Sequence, residues 1–203
     1  WNWEGREGQP IPVMADTNAE EVELLLNGSS LGRKRKGEPW VMPVGEKIRT
    51  DLRFTTKHRV VWEVPWAPGT LKAVAYAGGK AVGTAEVRTA GVPARLVLVP
   101  DRMRIRADGE DLSFVTVRIE DAEGNLVPGA DNLVRFAVEG AGRIAAVDNG
   151  NPASLEPFQA KERKAFSGLA LLVVRSNRGV SGSIRVQAES AGLASAGAVL
   201  KAE

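Results

Sequence analysis

Hydrophobic and polar residues alternate along much of this chain with a period of two. In EEVELLLNG, Val22, Leu24 and Leu26 point one way, with Glu21, Glu23 and Leu25 between them. Period-two segments bounded by Gly and Asn read as strands and turns. Asn27-Gly28 supplies a turn that accepts positive φ, and the chain then returns through Leu31 to Lys36. A strand is expected over Pro10–Asp16, and others over Arg59–Trp66 and Leu71–Ala77, the last two separated by Pro68-Gly69. Gly78-Gly79 closes a further hairpin onto Ala81–Thr89. No segment of this half shows a helical stripe.

A seam follows at Thr89-Ala90-Gly91-Val92-Pro93, where residues are small and Pro93 disfavours helix at Val92. The strand pattern restarts at Arg95–Pro100. In Leu112–Glu120 the inward set is Leu112, Phe114 or Val115, Val117 and Ile119, and Asp121–Asn125 is a turn. Further strands are predicted at Leu133–Glu139, Arg143–Val147, Leu169–Ser176, Ser183–Glu189 and Ala194–Lys201. Turn signals recurring about every 8–12 residues point to sandwiches. The predicted fold is all-β: two antiparallel β-sandwiches in tandem, covering residues 1–90 and 91–203.

Composition refines this picture without overturning it. The 203 residues are 43% hydrophobic and 26% charged, which suits a globular chain able to bury a core. With 22 Gly and 11 Pro there are turn residues in plenty, and aromatics at 5% leave the cores to Val, Leu, Ile and Ala. The absence of cysteine removes disulfides, thiolate nucleophiles and cysteine-ligated zinc together. No apolar run is long enough to cross a bilayer, so no membrane partner is expected. The net charge is +2, concentrated in Arg33-Lys34-Arg35-Lys36. Lacking stacking aromatics or a docking motif, this run reads as a solvated strand and not as a nucleic-acid contact.

Candidate chemistry is sparse. The one histidine, His58, lies between Lys57 and Arg59 with no Ser or Cys motif beside it, and reads as a strand-edge residue. Gly179-Val180-Ser181-Gly182 has the wrong spacing for a nucleophile elbow. Asp108–Asp111, Asp121–Asn125 and Asp148–Asn151 gather oxygen ligands but lack the alternation of a calcium loop, and read as turns. No catalytic, cofactor-binding or metal-binding residue is therefore assigned. The five tryptophans remain. Trp62, in VVWEV, is expected in a core. Trp1, Trp3, Trp40 and Trp66 are the candidate contacts to another surface or to a sugar, whose apolar face stacks on an indole. Trp1 and Trp3 are expected either to lie against the first sandwich through the strand Pro10–Asp16 or to be left exposed.

Several long phrases carry a resemblance. TNAEEVELLLNGSSLGRK followed by VVWEVPWAPGTLKAVAYAGGKAVGTAEVRTAG resembles the first accessory β-domain behind the catalytic barrel of bacterial glycoside hydrolase family 2 β-galactosidases. DRMRIRADGEDLSFVTVRIEDAEGNLVPGADNLVRFAVEG, AAVDNGNP and KAFSGLALLVVRS resemble the C-terminal immunoglobulin-like domain of that family. WNWEGREGQPIPV is similar to the join between barrel and accessory domains. The resemblance implies two immunoglobulin-like sandwiches and a partner in the parent enzyme's own barrel, with β-galactoside glycans as a further candidate; on the residues alone, no cofactor is expected. Family members are retaining glycosidases with two glutamates on the barrel. Neither motif occurs in this chain, so the resemblance implies a catalytically silent region of a β-galactosidase. A periplasmic or extracellular place suits such a parent.

Overall fold

In the structure, a computed structural model that describes residues 1–38 and 57–203, every regular element is a β-strand. The chain divides into two units, Trp1–Thr89 and Ala90–Glu203. The first contains β1 (Pro10–Asp16), β2 (Glu21–Leu26), β3 (Ser29–Arg35), β4 (Arg59–Pro65), β5 (Thr70–Ala77) and β6 (Lys80–Arg88). A two-stranded sheet β1-β4 and a four-stranded sheet β3-β2-β5-β6 are antiparallel throughout.

The alternation along β2 buries Val22 and Leu24, which meet Val60, Trp62 and Val64 of β4 and Leu71 of β5 in one cluster. The Asn27-Gly28 turn places both residues at positive φ, 51° and 82°, as a two-residue hairpin between right-twisted strands requires. The Asn27 side chain also ties β2 to β5: its Oδ1 accepts from the Thr70 amide at 2.8 Å and its Nδ2 donates to the Pro68 carbonyl at 3.1 Å. Leu31 and Gly32 bulge out of the β2–β3 ladder, and the Gly32 carbonyl accepts from the Trp62 indole at 3.3 Å.

The second unit contains β7 (Arg95–Pro100), β8 (Arg104–Ile105), β9 (Leu112–Glu120), β10 (Leu133–Gly140), β11 (Gly142–Asp148), β12 (Glu162–Lys164), β13 (Leu169–Ser176), β14 (Gly182–Glu189) and β15 (Ala196–Ala202). They form a four-stranded sheet β11-β13-β9-β7 and a five-stranded sheet β12-β10-β14-β15-β8. The ladders are antiparallel except β8 against β15, which run parallel. One continuous cluster lies within the unit, with Val115, Val117 and Ile119 of β9, Leu172 and Val174 of β13, and Ile184 and Val186 of β14 all sealed from solvent. On β9 it is Val115 that points inward, while Phe114 is exposed. The all-β sandwich architecture is thus present, compatible with the immunoglobulin-like form.

Two strands lie outside the periodic pattern. β8 has two residues and β12 three, all charged in β12, so neither can show alternation. β12 is nevertheless paired to β10 through Leu133–Arg135, and it carries Arg163, the largest fully buried side chain described.

Candidate functional site

The tryptophans have separate fates. Trp62 is buried in the first core, as its VVWEV setting implies. Trp1 is half-buried and packs on the same cluster; its indole donates to the Ala67 carbonyl at 2.8 Å. The Trp1 carbonyl accepts from the Thr89 hydroxyl at 2.8 Å and from the Trp66 indole at 3.4 Å. Trp66 is only 6% exposed, which leaves almost no ring face for a sugar. Trp3, at 43% exposed, is the large open indole among the described residues. The Arg6 guanidinium sits 5.9 Å from its ring centroid, and the Arg6 amide donates to the Trp3 carbonyl at 3.0 Å. Trp40 lies outside the described residues. The structure thus joins Trp1 and Trp66 and leaves Trp3 apart from them. Exposed rings that the sequence does not single out are Phe114, Phe158 and Phe166, all in the second unit.

A second feature of the first unit is its unequal sheets. Among the described residues the two-stranded sheet is narrower than the four-stranded one, and an apolar groove of 390 Å³ runs along the wider sheet. Val13 and Ala15 of β1 form one wall, Leu71 and Ala73 of β5 the floor, and Ala85 and Val87 of β6 the far side. Every residue of β6 is exposed, with Val82 at 60% and Val87 at 55%. A free sheet edge bearing apolar side chains is the kind of surface that proteins normally cover.

The polar clusters are turns closed on themselves. The Asp108 Oδ1 accepts from the amides of Glu110 and Asp111, each at 2.8 Å. Asp121 is buried, and its carboxylate accepts from the amides of Gly91 (2.8 Å) and Asn125 (2.7 Å) and from the Asn125 side chain (3.0 Å). Burial pushes the Asp121 carboxyl up, but the bonds from the Asn125 side chain and from the backbone of Gly91, Asn125 and Glu123 outweigh it and hold the pKa at about 2. Asp148 accepts from the amides of Asn149 (2.7 Å) and Gly150 (3.2 Å) and from Arg163 (3.3 Å). The Asn149 amide, the first of these, acts with the Gly150 amide and Arg163 to hold its carboxyl below the usual range, against the opposing effect of burial. Among the described residues no group of three or more His, Asp or Glu gathers to hold a metal ion.

Arg163 organises the loop around Asp148 from inside. Its guanidinium donates to the Glu156 carbonyl at 2.8 Å and to Asp148, and lies 5.1 Å from the Phe158 ring centroid. The Asn149 side chain donates to the Lys164 carbonyl at 2.9 Å, tying the same loop to β12. Sequence reasoning misses this network because nothing in the charged run Lys161-Glu162-Arg163-Lys164 marks Arg163 as buried.

His58 is an exposed turn residue just before β4; its carbonyl accepts from the Thr17 amide at 2.8 Å. The basic run is largely engaged within the first unit. Arg33 lies 3.4 Å from the Tyr76 ring centroid and pairs with Glu21 at 3.5 Å. Lys34 donates to the Val61 carbonyl at 2.8 Å, and Lys36 to the Asn18 carbonyl at 2.8 Å.

Residues 96–199, within the second unit, match the family described as glycoside hydrolase family 2 C-terminal domain 5. This chain belongs to that family. Residues 8–83, within the first unit, match a domain of unknown function, DUF4982. The chain is 46% identical over 204 aligned positions to a β-galactosidase of Bacteroides ovatus; the match covers the whole chain and 22% of that protein. A putative β-glucuronidase of Formosa agariphila is 33% identical over 147 residues, 72% of the chain and 13% of that protein. Among solved structures, a glycosyl hydrolase family 2 member from Bacteroides cellulosilyticus superposes with a TM-score of 0.85 at 40% identity, over the whole chain and 24% of that structure. The family 2 chain described here therefore spans about a quarter or less of the length of these relatives.

Proposed function

We propose that this chain is the non-catalytic C-terminal accessory region of a glycoside hydrolase family 2 enzyme whose whole-protein activity is that of a β-galactosidase. In this reading each unit is one accessory domain, and the first docks on the enzyme's own catalytic barrel and helps shape a wall of its substrate site. The observation that carries the docking role is the apolar groove lined by β1, β5 and the exposed strand β6. More than three quarters of the length of the Bacteroides ovatus relative lies outside the matched region, and a segment of the same polypeptide is the occupant that this reading names. Exposed Trp3, on the same unit, is a second anchor for that contact.

The test has two arms. This chain alone, incubated with aryl β-galactosides, is expected to release no more phenol than buffer; turnover well above that level sinks the accessory reading. The whole enzyme lacking these residues is expected to lose melting temperature and activity together. Unchanged stability and turnover after that deletion would remove the supporting role.

A further inference from the structure

We infer that the second unit carries a binding site for an anionic saccharide, a sugar bearing a carboxylate or a sulfate ester. It is a cleft of 450 Å³ lined by Arg143, Ile144 and Ala145 of β11, Arg175 of β13, and Gln159, Ala160 and Lys161 of the segment leading into β12. That volume falls in the range of about 300–1,000 Å³ usual for small-molecule sites and fits one or two sugar rings.

Local backbone geometry builds the cleft. β11 and β12 are the end strands of the two sheets, and the ladder between β11 and β13 shifts register between Ile144 and Ala146, leaving Ala145 without a cross-strand partner. Such bulges bend an edge strand and re-aim its side chains. The segment before β12 runs alongside this edge, with the Val147 amide donating to the Phe158 carbonyl at 2.8 Å and the Phe136 amide to the Lys161 carbonyl at 2.8 Å. The cleft lies between that segment and the bulged edge.

Charge in the cleft is one-sided. Arg143 and Arg175 are direct cross-strand partners, so two guanidinium groups share one face of the ladder, an arrangement that repels. Lys161 adds a third cation, and no carboxylate lines the cleft. Most other arginines of this unit are in ion pairs; among the described residues Arg143, Lys161 and Arg175 are in none. Arg143 is held by the Ser176 carbonyl at 3.1 Å and the Asn177 side chain at 2.9 Å. The Nε of Arg175 is shut off from solvent and has no hydrogen-bond partner. That nitrogen is out of a ligand's reach, but the Arg175 side chain lines the cleft with Arg143 and Lys161, and an oxyanion there supplies an acceptor for the three cations. Ile144, Ala145 and Ala160 offer an apolar wall to a sugar's C–H face, and the Gln159 amide can serve its hydroxyls. That mixed lining favours a saccharide over a bare ion or an extended acidic peptide.

The experiment is an NMR titration of this chain with glucuronate, galactose 6-sulfate, neutral galactose, inorganic sulfate and an oligoglutamate peptide. At least one of the two anionic sugars should shift the amide signals of Ile144–Ala145 and Gln159–Lys161, while galactose leaves them in place. Lys161→Gln should weaken that binding roughly two- to five-fold, the change that corresponds to losing one exposed ion pair. Arg175→Gln should weaken it about ten-fold or more, as for a charge-assisted contact. A melting curve for each variant separates lost binding from lost fold, and Lys161→Gln, at an exposed position, keeps the test open if Arg175→Gln unfolds. No shift with either anionic sugar overturns the site. Inorganic sulfate or the peptide binding as tightly as the sugars overturns its assignment to saccharides.

Discussion

The carboxyl of Asp121 is held at about 2, below an ordinary 3.8, because burial, which raises it, is outweighed by four hydrogen bonds to its charged form. A carboxyl whose pKa is lower in the folded state stabilises the fold fully above the unfolded value, and that contribution disappears as pH falls through the folded one. The second unit should therefore lose stability between about pH 4 and pH 2, and Asp121→Asn should flatten that part of the acid-unfolding curve. At neutral pH the same variant should cost about 1–3 kcal/mol, since an amide cannot accept all these bonds and leaves buried donors unmatched; urea denaturation measures it. Arg163 makes a second case. Arg163→Ala should destabilise the unit by about 2–4 kcal/mol through the lost bonds to Glu156 and Asp148 and the emptied space. Arg163→Lys should recover little of this, because an ammonium cannot reach two directions with a planar fork. Of these two residues, sequence reasoning recognises Asp121 as a turn former but gives no sign of Arg163. Turn chemistry is local in the chain, whereas burial of a cation depends on how Asp148, at the end of β11, and Glu156, in the segment before β12, fold back onto it.

At the scale of elements, the long strands are legible because their alternation is their packing. β2, β9 and β13 bury the residues that the period of two places on one side. The turn that carries the chain from β10 in one sheet to β11 in the other passes through Gly140, at a φ of 92°, where an added Cβ would collide with the Ser183 carbonyl. Gly140→Ala should therefore cost clearly more than Gly28→Ala, which meets the same left-handed strain, at 82°, but open space. Paired unfolding curves of the two variants check the order. β6 behaves differently from the other long strands, since its pattern promises an inner face, yet every one of its residues is exposed. Val87→Lys should change the stability of this chain by no more than about 0.5 kcal/mol, because the side chain is exposed. In the whole enzyme the same substitution should lower the melting temperature if the groove is the docking face. Equal, negligible effects in both settings would argue that nothing covers β6.

For the molecule as a whole, each of the two units has its own core cluster and its own pair of sheets. Residues 90–203 expressed alone should accordingly fold and unfold in a single cooperative transition, read by circular dichroism, with amide protection concentrated in β9, β13 and β14. A fragment that stays unfolded would mean that the second unit depends on the first.

The sequence by itself determined the all-β class, the hairpin at Asn27-Gly28, the burial of Trp62 and the family resemblance. Each of these follows from spacing, turn chemistry or long phrases in the linear chain. Tertiary structure alone decided that Trp66 is enclosed while Trp3 is open, that β6 is exposed along its length, that Arg163 is internal, and that Arg143, Arg175 and Lys161 converge on one cleft. The reason is physical: a period of two states which side of a strand is apolar, but not whether a second sheet is wide enough to cover it. Nor can it say which cations, 14 and 32 residues apart in the chain, a bulged edge will bring to the same place.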